Sequence, residues 1–175
     1  SKIVHEHVWA TVVSIECEKS DISYQPQIDF LHLVDEIFST YIPTSEVSKL
    51  RSNQIQIEDC HPLLNEVWHL CLRARELTDG AFDPWAVPGG FDPSGYVKGW
   101  AADQICNQLQ AVGAKHIQVN AGGDISLRGG STNQTPWQIG VAHPEKADQI
   151  SKIFQITDGA IATSGTAERG NHIID

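Results

Sequence analysis

A glycine pair followed by an aspartate, Gly122-Gly123-Asp124, stands between two short runs, Ile117 to Val119 and Ile125 to Arg128. Both runs read as strands. Glycines between them let the backbone enter positive φ and come close to a neighbour or a ligand. An aspartate at that point can hold a ribose hydroxyl or a metal-bound water. A plain turn explains the triplet as well. It is not a G-x-G-x-x-G fingerprint, and the chain has no P-loop.

The rest of the chain sorts into helices early and strands late. His7 to Cys17 is rich in Val, Ile, Thr and Trp and reads as one strand. Ile28, Leu31, Val34, Ile37 and Phe38 recur at helical spacing, which predicts an amphipathic helix over about residues 27–40. Thr44-Ser45-Glu46 looks like an N-cap and first turn leading to Val47 and Leu50. Pro62 suits the first position of the next helix, with Leu63, Val67, Leu70, Cys71, Ala74 and Leu77 as its buried stripe. Gly99 to Val112 reads as a further helix, closed by Gly113. Trp137 to Ala142 and Ile153 to Thr157 read as strands, and Asp158-Gly159 as a turn. The predicted class is α+β, a mainly antiparallel sheet packed with helices, in one domain over residues 1–175.

The chain has 175 residues, enough for one real core, and its 41% apolar content speaks for a globular fold. A net charge of −10 argues against a nucleic-acid partner. An anion would have to be held locally, by backbone N–H groups, a lysine or a metal. No stretch approaches the roughly 20 apolar residues that span a bilayer. Cys17, Cys60, Cys71 and Cys106 form no C-x-x-C and read as buried, reduced thiols. The compartment stays open, with the cytoplasm preferred because neither a signal peptide nor a disulfide pattern is visible.

Residues 79–97 hold Gly80, Gly89, Gly90 and Gly95 with Pro84, Pro88 and Pro93, and read as a loop. A loop this long in a small domain usually carries function. Asp83, before Pro84, can meet a ring nitrogen or ribose, or simply form an Asx turn. Lys98 follows a glycine turn and precedes the predicted helix, where the macrodipole favours anions; a ligand phosphate would resolve the mismatch, and so would a solvent-facing lysine. Thr163 and Ser164 offer two hydroxyls beside Gly165, or end a strand. His172, among Gly170, Asn171 and Asp175, suits a general base, or a neutral ring satisfied by backbone. Cys60, His61, His69 and Cys71 fit no zinc spacing.

Taken together these segments resemble the FAD:protein FMN transferases, the ApbE family. Val8-Trp9-Ala10-Thr11 looks like the family's opening Met-Gly-Thr strand. Ser39-Thr40-Tyr41 with Ser45 to Leu50 resembles its S-x-Y…S-E-V-S-x-L block. Gly80-Ala81-Phe82-Asp83-Pro84 is similar to its Gly-Ala-Phe-Asp loop, and Asp92 to Gly99 with Asp103 to its D-x-x-G-x-x-K-G-x-x-x-D turn. Asn120 to Asp124, Ala162 to Gly165 and His172 to Asp175 match the remaining blocks, in family order.

The resemblance implies an ApbE-like (T-fold-like) domain that binds FAD as substrate together with Mg²⁺. It implies cleavage of FAD at its pyrophosphate, attachment of the FMN half to a threonine of an acceptor protein, and release of AMP. Tyr41, Ala81, Phe82 and Asp83 would hold adenine-side or flavin groups. Ser94 and Asp103, in the same motif as Lys98, would bind the cofactor with it, and Lys98 would face the pyrophosphate. A backbone carbonyl of the Gly95–Val97 turn, taken as that of Val97, would join the metal shell. Gly122, Gly123 and Asp124 would line the pocket, with Thr163, Ser164 and His172 beside the reacting phosphate. Trp9 and Ala10 stand where the family has Met and Gly, and Ala167 where an aromatic is common. The sequence given stops at Asp175, inside the family's His-Ile-x-Asp-Pro block. It therefore reads as incomplete at the C-terminal side, without the family's Ala-Asp…Thr segment of side-chain metal ligands. Two alternatives stay beside transfer: an FAD pyrophosphatase and a non-catalytic flavin-binding protein. Many relatives are exported and membrane-anchored.

Overall fold

The computed structural model describes residues 1–143 and 145–164. Among them the chain forms two compact units. The first comprises Ser1–His5, Val13–Ile22 and the described residues from Ala102 onward; the second comprises Glu6–Val12 and Ser23–Ala101.

The first unit is built on a five-stranded sheet of order β1-β2-β3-β4-β7. Its strands are β1 (Lys2–Val8), β2 (Thr11–Cys17), β3 (Ile117–Ala121), β4 (Asp124–Arg128) and β7 (Gly159–Ile161). The pairs β2–β3, β3–β4 and β4–β7 are antiparallel. Side chains alternate between the faces of a strand. Val13, Ile15 and Cys17 are therefore buried together, as are Ile117, Val119 and Ala121. The C-terminal part of helix α4 (Ser94–Ala111) covers them with Ala102, Ile105, Cys106 and Leu109, a helical 3–4 spacing. β5 (Trp137–His143) and β6 (Lys146–Ile156) form a separate antiparallel hairpin.

The second unit is helical. α1 (Gln25–Phe38), α2 (Glu46–Arg51) and α3 (Pro62–Leu77) are joined by the first turns of α4 and by a long loop. Its core is Val34, Ile37, Phe38, Val47, Leu64, Val67, Cys71, Phe91, Val97 and Trp100. Ser45 caps α2 by accepting from the Ser48 N–H, and Pro62 stands in the first turn of α3, both as expected. All four cysteines are buried free thiols. Burial pushes the Cys60 thiol up to about 11, and Cys71 and Cys106 to about 12.

Two expectations are corrected. The run from His7 to Cys17 is not one strand: Trp9 (φ 57) and Ala10 (φ 54) reverse the chain between β1 and β2. Two consecutive positive φ values are the pattern of a type I′ hairpin turn. The last helix begins at Ser94, not Gly99. The Asp92 carboxylate accepts the Ser94 N–H (3.0 Å), and Pro93 precedes the helix with its carbonyl taken by Tyr96 and Val97. Smaller shifts are ordinary: α1 runs Gln25–Phe38, and β6 begins at Lys146.

Candidate functional site

The residues singled out in the sequence fall into two groups, one in each unit. In the sheet unit, Gly122 (φ 64) and Gly123 (φ 100) form the two-residue turn between β3 and β4, closed by the pair Ala121–Asp124. Asn120 Oδ1 accepts the Gly123 N–H at 2.9 Å. Thr163 locks the turn from outside. Its N–H donates to Asp124 Oδ1 (3.3 Å), and its hydroxyl donates to the Gly123 carbonyl (3.0 Å). A Cβ on Gly123 would sit 3.5 Å from that of Thr163, an ordinary contact, so it is the positive φ that calls for glycine here. Ser164 follows, exposed. Glycine turn, carboxylate and hydroxyl are thus brought together across some forty residues of sequence, a cradle of small polar groups.

Asp103 lies in the same unit on α4. One of its carboxylate oxygens accepts from the Ser126 hydroxyl (2.8 Å) and from Arg128 Nη2 (3.0 Å). Helix and sheet are tied by this contact. Ser126 and Arg128 give no sequence signal for it, because a pairing between distant elements has no local pattern.

In the helical unit the loop after α3 carries Ala81, Phe82 and Asp83, and it is firmly held. The Thr78 hydroxyl accepts the Phe82 N–H (3.0 Å). Asp83 accepts the Trp85 N–H (3.0 Å), which is the Asx turn, and also pairs with Arg75 Nε (3.0 Å). Arg75 lies 6.0 Å from the Trp85 ring centroid, and Trp85 stacks among Trp68 and Phe91. Arg51 donates to the carbonyls of Pro88, Gly90 and Phe91 at 3.0–3.3 Å. Phe82 faces Tyr96 at 6.2 Å and leaves 3.5 Å to a Cβ built on Gly95. Ser94 and Val97 belong to the first turn of α4, and Lys98 follows them within the helix, half-buried, rather than ahead of it. Tyr41 is 94% exposed. His172 lies outside the described residues, as does Gly165.

One donor escaped the sequence reading. The indole Nε1 of Trp9 is buried and meets no hydrogen-bond acceptor. Trp9 packs against the same apolar cluster as Phe82, Trp85 and Tyr96. The sheet unit thus offers a cradle of small polar groups, and the helical unit an aromatic cluster with a spare donor. Among the described residues no three His, Cys, Asp or Glu side chains come together to hold an ion.

The fold is of the α+β class, with an antiparallel sheet and a polar glycine turn, and comparison with known proteins narrows it. The ApbE family model matches residues 9–89 and 87–175, so the chain belongs to the ApbE family. It is 36% identical over 165 residues to a protein of Vibrio cholerae named FAD:protein FMN transferase. That match takes in 89% of this chain and 45% of the relative. A protein of the same name from Haemophilus influenzae is 28% identical over 76 residues, 42% of this chain and 22% of its own. The chain thus spans less than half the length of these curated relatives. Among solved structures, the ApbE protein of Thermotoga maritima superimposes with a TM-score of 0.84 at 22% identity, covering 96% of this chain and 71% of that one. The flavin transferase ApbE of Vibrio cholerae gives 0.76 at 23%, covering 97% and 74%. These likenesses establish the expected fold.

Proposed function

We propose that this chain is the FAD-binding part of a flavin transferase, which moves FMN from FAD to a threonine of an acceptor protein in the presence of Mg²⁺. The observation that carries the reading is the 36% identity over 165 residues to a protein named FAD:protein FMN transferase. In the step proposed, the threonine hydroxyl oxygen attacks the phosphorus that bears the FMN half. The bond from that phosphorus to the bridging oxygen breaks, and AMP leaves with the electron pair. The threonine proton passes to His172, acting as general base.

The chain's own groups support the remaining roles. Lys98 supplies positive charge for the pyrophosphate in a protein whose net charge is −10. Gly122, Gly123, Asp124, Thr163 and Ser164 line the phosphate side. Tyr41, Ala81, Phe82 and Asp83 serve the ring systems, and Ser94 and Asp103 are further cofactor-binding residues. Mg²⁺, if bound, would supply positive charge against the phosphate oxygens. The Val97 carbonyl is the ligand this chain would offer it.

Calorimetric titration with FAD, with and without Mg²⁺, tests binding. Mass spectrometry of an acceptor peptide tests transfer. The expected result is FAD binding that tightens with Mg²⁺. The His172→Ala variant should keep FAD binding while losing transfer, and unchanged transfer would remove His172 from its role. AMP release without an acceptor peptide would favour hydrolysis instead.

A further inference from the structure

Trp9 occupies the first central position of the β1–β2 turn, and both central residues, Trp9 and Ala10, have positive φ. For residues with a Cβ this conformation costs roughly 1–2 kcal/mol each. A glycine-containing turn would avoid the strain. The chain instead places an indole there and packs it on the apolar cluster that includes Phe82 and Tyr96. Its Nε1–H is buried with no acceptor. A buried donor without a partner costs about 1–3 kcal/mol, and buried tryptophans normally find one. Strain and an unmet donor coincide on one side chain. That is the signature of a group held for something else.

We propose that the Trp9 indole N–H donates a hydrogen bond to an acceptor atom on one of the two ring systems of bound FAD, making Trp9 a positioning residue for the ligand. The inference rests on the flavin reading above. The apolar cluster on which Trp9, Phe82 and Tyr96 all pack suits a planar heterocycle better than a phosphate, whose partners elsewhere in the chain are small and polar. The carbonyl oxygens and ring nitrogens of flavin, and the ring nitrogens of adenine, are acceptors of the required kind. Trp9 must shift to expose its N–H to the ligand.

The test uses ¹⁵N-labelled chain and its Trp9→Phe variant, which keeps a ring and removes the donor. The chain has five tryptophans, so the indole signal lost in the variant identifies Trp9. FAD should move that signal downfield, and FAD should bind the variant about tenfold more weakly. The thermal stability of the unliganded variant should not fall in step, because the donor has no partner to lose. FMN and ADP, titrated separately, show which ring system moves the signal. An unmoved Trp9 signal with FAD bound overturns the proposal, as does a variant of unchanged affinity. A parallel loss of unliganded stability and affinity assigns Trp9 a merely structural role and also overturns it. Failure of the unaltered chain to bind FAD overturns the flavin reading and this inference together. If the variant does not fold, the Trp9 indole signal is assigned in the unaltered chain by triple-resonance and NOE spectra, and its response to FAD decides.

Discussion

At the scale of the residue, the β1–β2 turn is where local preference and structure disagree most. Ala10 sits at φ 54, a conformation that glycine adopts freely and alanine does not. Ala10→Gly removes that strain but adds the entropy of a more flexible unfolded chain. The first effect is the larger at this φ. The substitution should therefore stabilise the chain, by roughly 0.5–1 kcal/mol. Urea denaturation of both proteins measures it, and a lower midpoint for the glycine variant would contradict the argument. The same reasoning explains why the turn escaped a reading of the sequence. Trp-Ala carries none of the Asn, Asp or Gly signals that mark type I′ turns, and the run around it is uniformly strand-like. Gly122-Gly123, which does carry the signal, was legible at once.

At the scale of the element, helices were easier to read than the site they support. The stripe Leu31, Val34, Ile37 and Phe38 is buried as its spacing requires, and Ser45 and Pro62 mark helix starts by local chemistry. The candidate residues of the site were equally visible, because glycine, aspartate and hydroxyl groups cluster in short motifs. What holds them was not. Arg51, Arg75 and Arg128 act across distances in sequence that no periodicity records. Arg51 is the strongest case. Its guanidinium spans the carbonyls of Pro88, Gly90 and Phe91, and a Cβ on Gly89 would come within 2.6 Å of Nη2. Arg51→Ala leaves three carbonyls in need of partners; water can reach only the more exposed of them. A loss of about 2 kcal/mol is expected. Lysine cannot reproduce a planar fork of donors, so Arg51→Lys should restore less than half of it. Chemical denaturation gives the loss, and amide exchange at residues 85–92 should quicken in both variants. A loss below about 0.5 kcal/mol for the alanine variant would mean that the loop is held by its aromatic packing alone.

At the scale of the whole molecule, charge dominates what the contacts leave undecided. A net −10 on 175 residues repels itself, and the ion pairs that offset it are few and partly exposed among the described residues. Raising the salt from roughly 0.01 M to about 0.15 M shortens the screening length to about 8 Å. Repulsion summed over many distant charges should weaken more than those short contacts do. The melting temperature at pH 7 should therefore rise with salt. Acidification acts in the same direction at first. Moving towards pH 5.1, where the net charge vanishes, also relieves repulsion. Glu18 sets a limit to that gain. Partial burial pushes its carboxyl up, but the N–H groups of Lys115 and His116, at 2.8 and 3.0 Å, outweigh this, and its pKa is lowered from the usual 4.5. A group depressed in the folded state contributes fully above its unfolded value and loses that contribution as the pH falls through the folded one. Stability should thus hold or rise from pH 7 to about 5, then fall below about 4.5, where Glu18 begins to lose its share. Glu18→Gln keeps one acceptor oxygen without the titration, so it should flatten the acid limb while lowering stability at neutral pH. A melting temperature that falls with added salt at pH 7 would show that the ion pairs, Arg128 with Asp103 and Arg75 with Asp83 foremost, outweigh the overall repulsion.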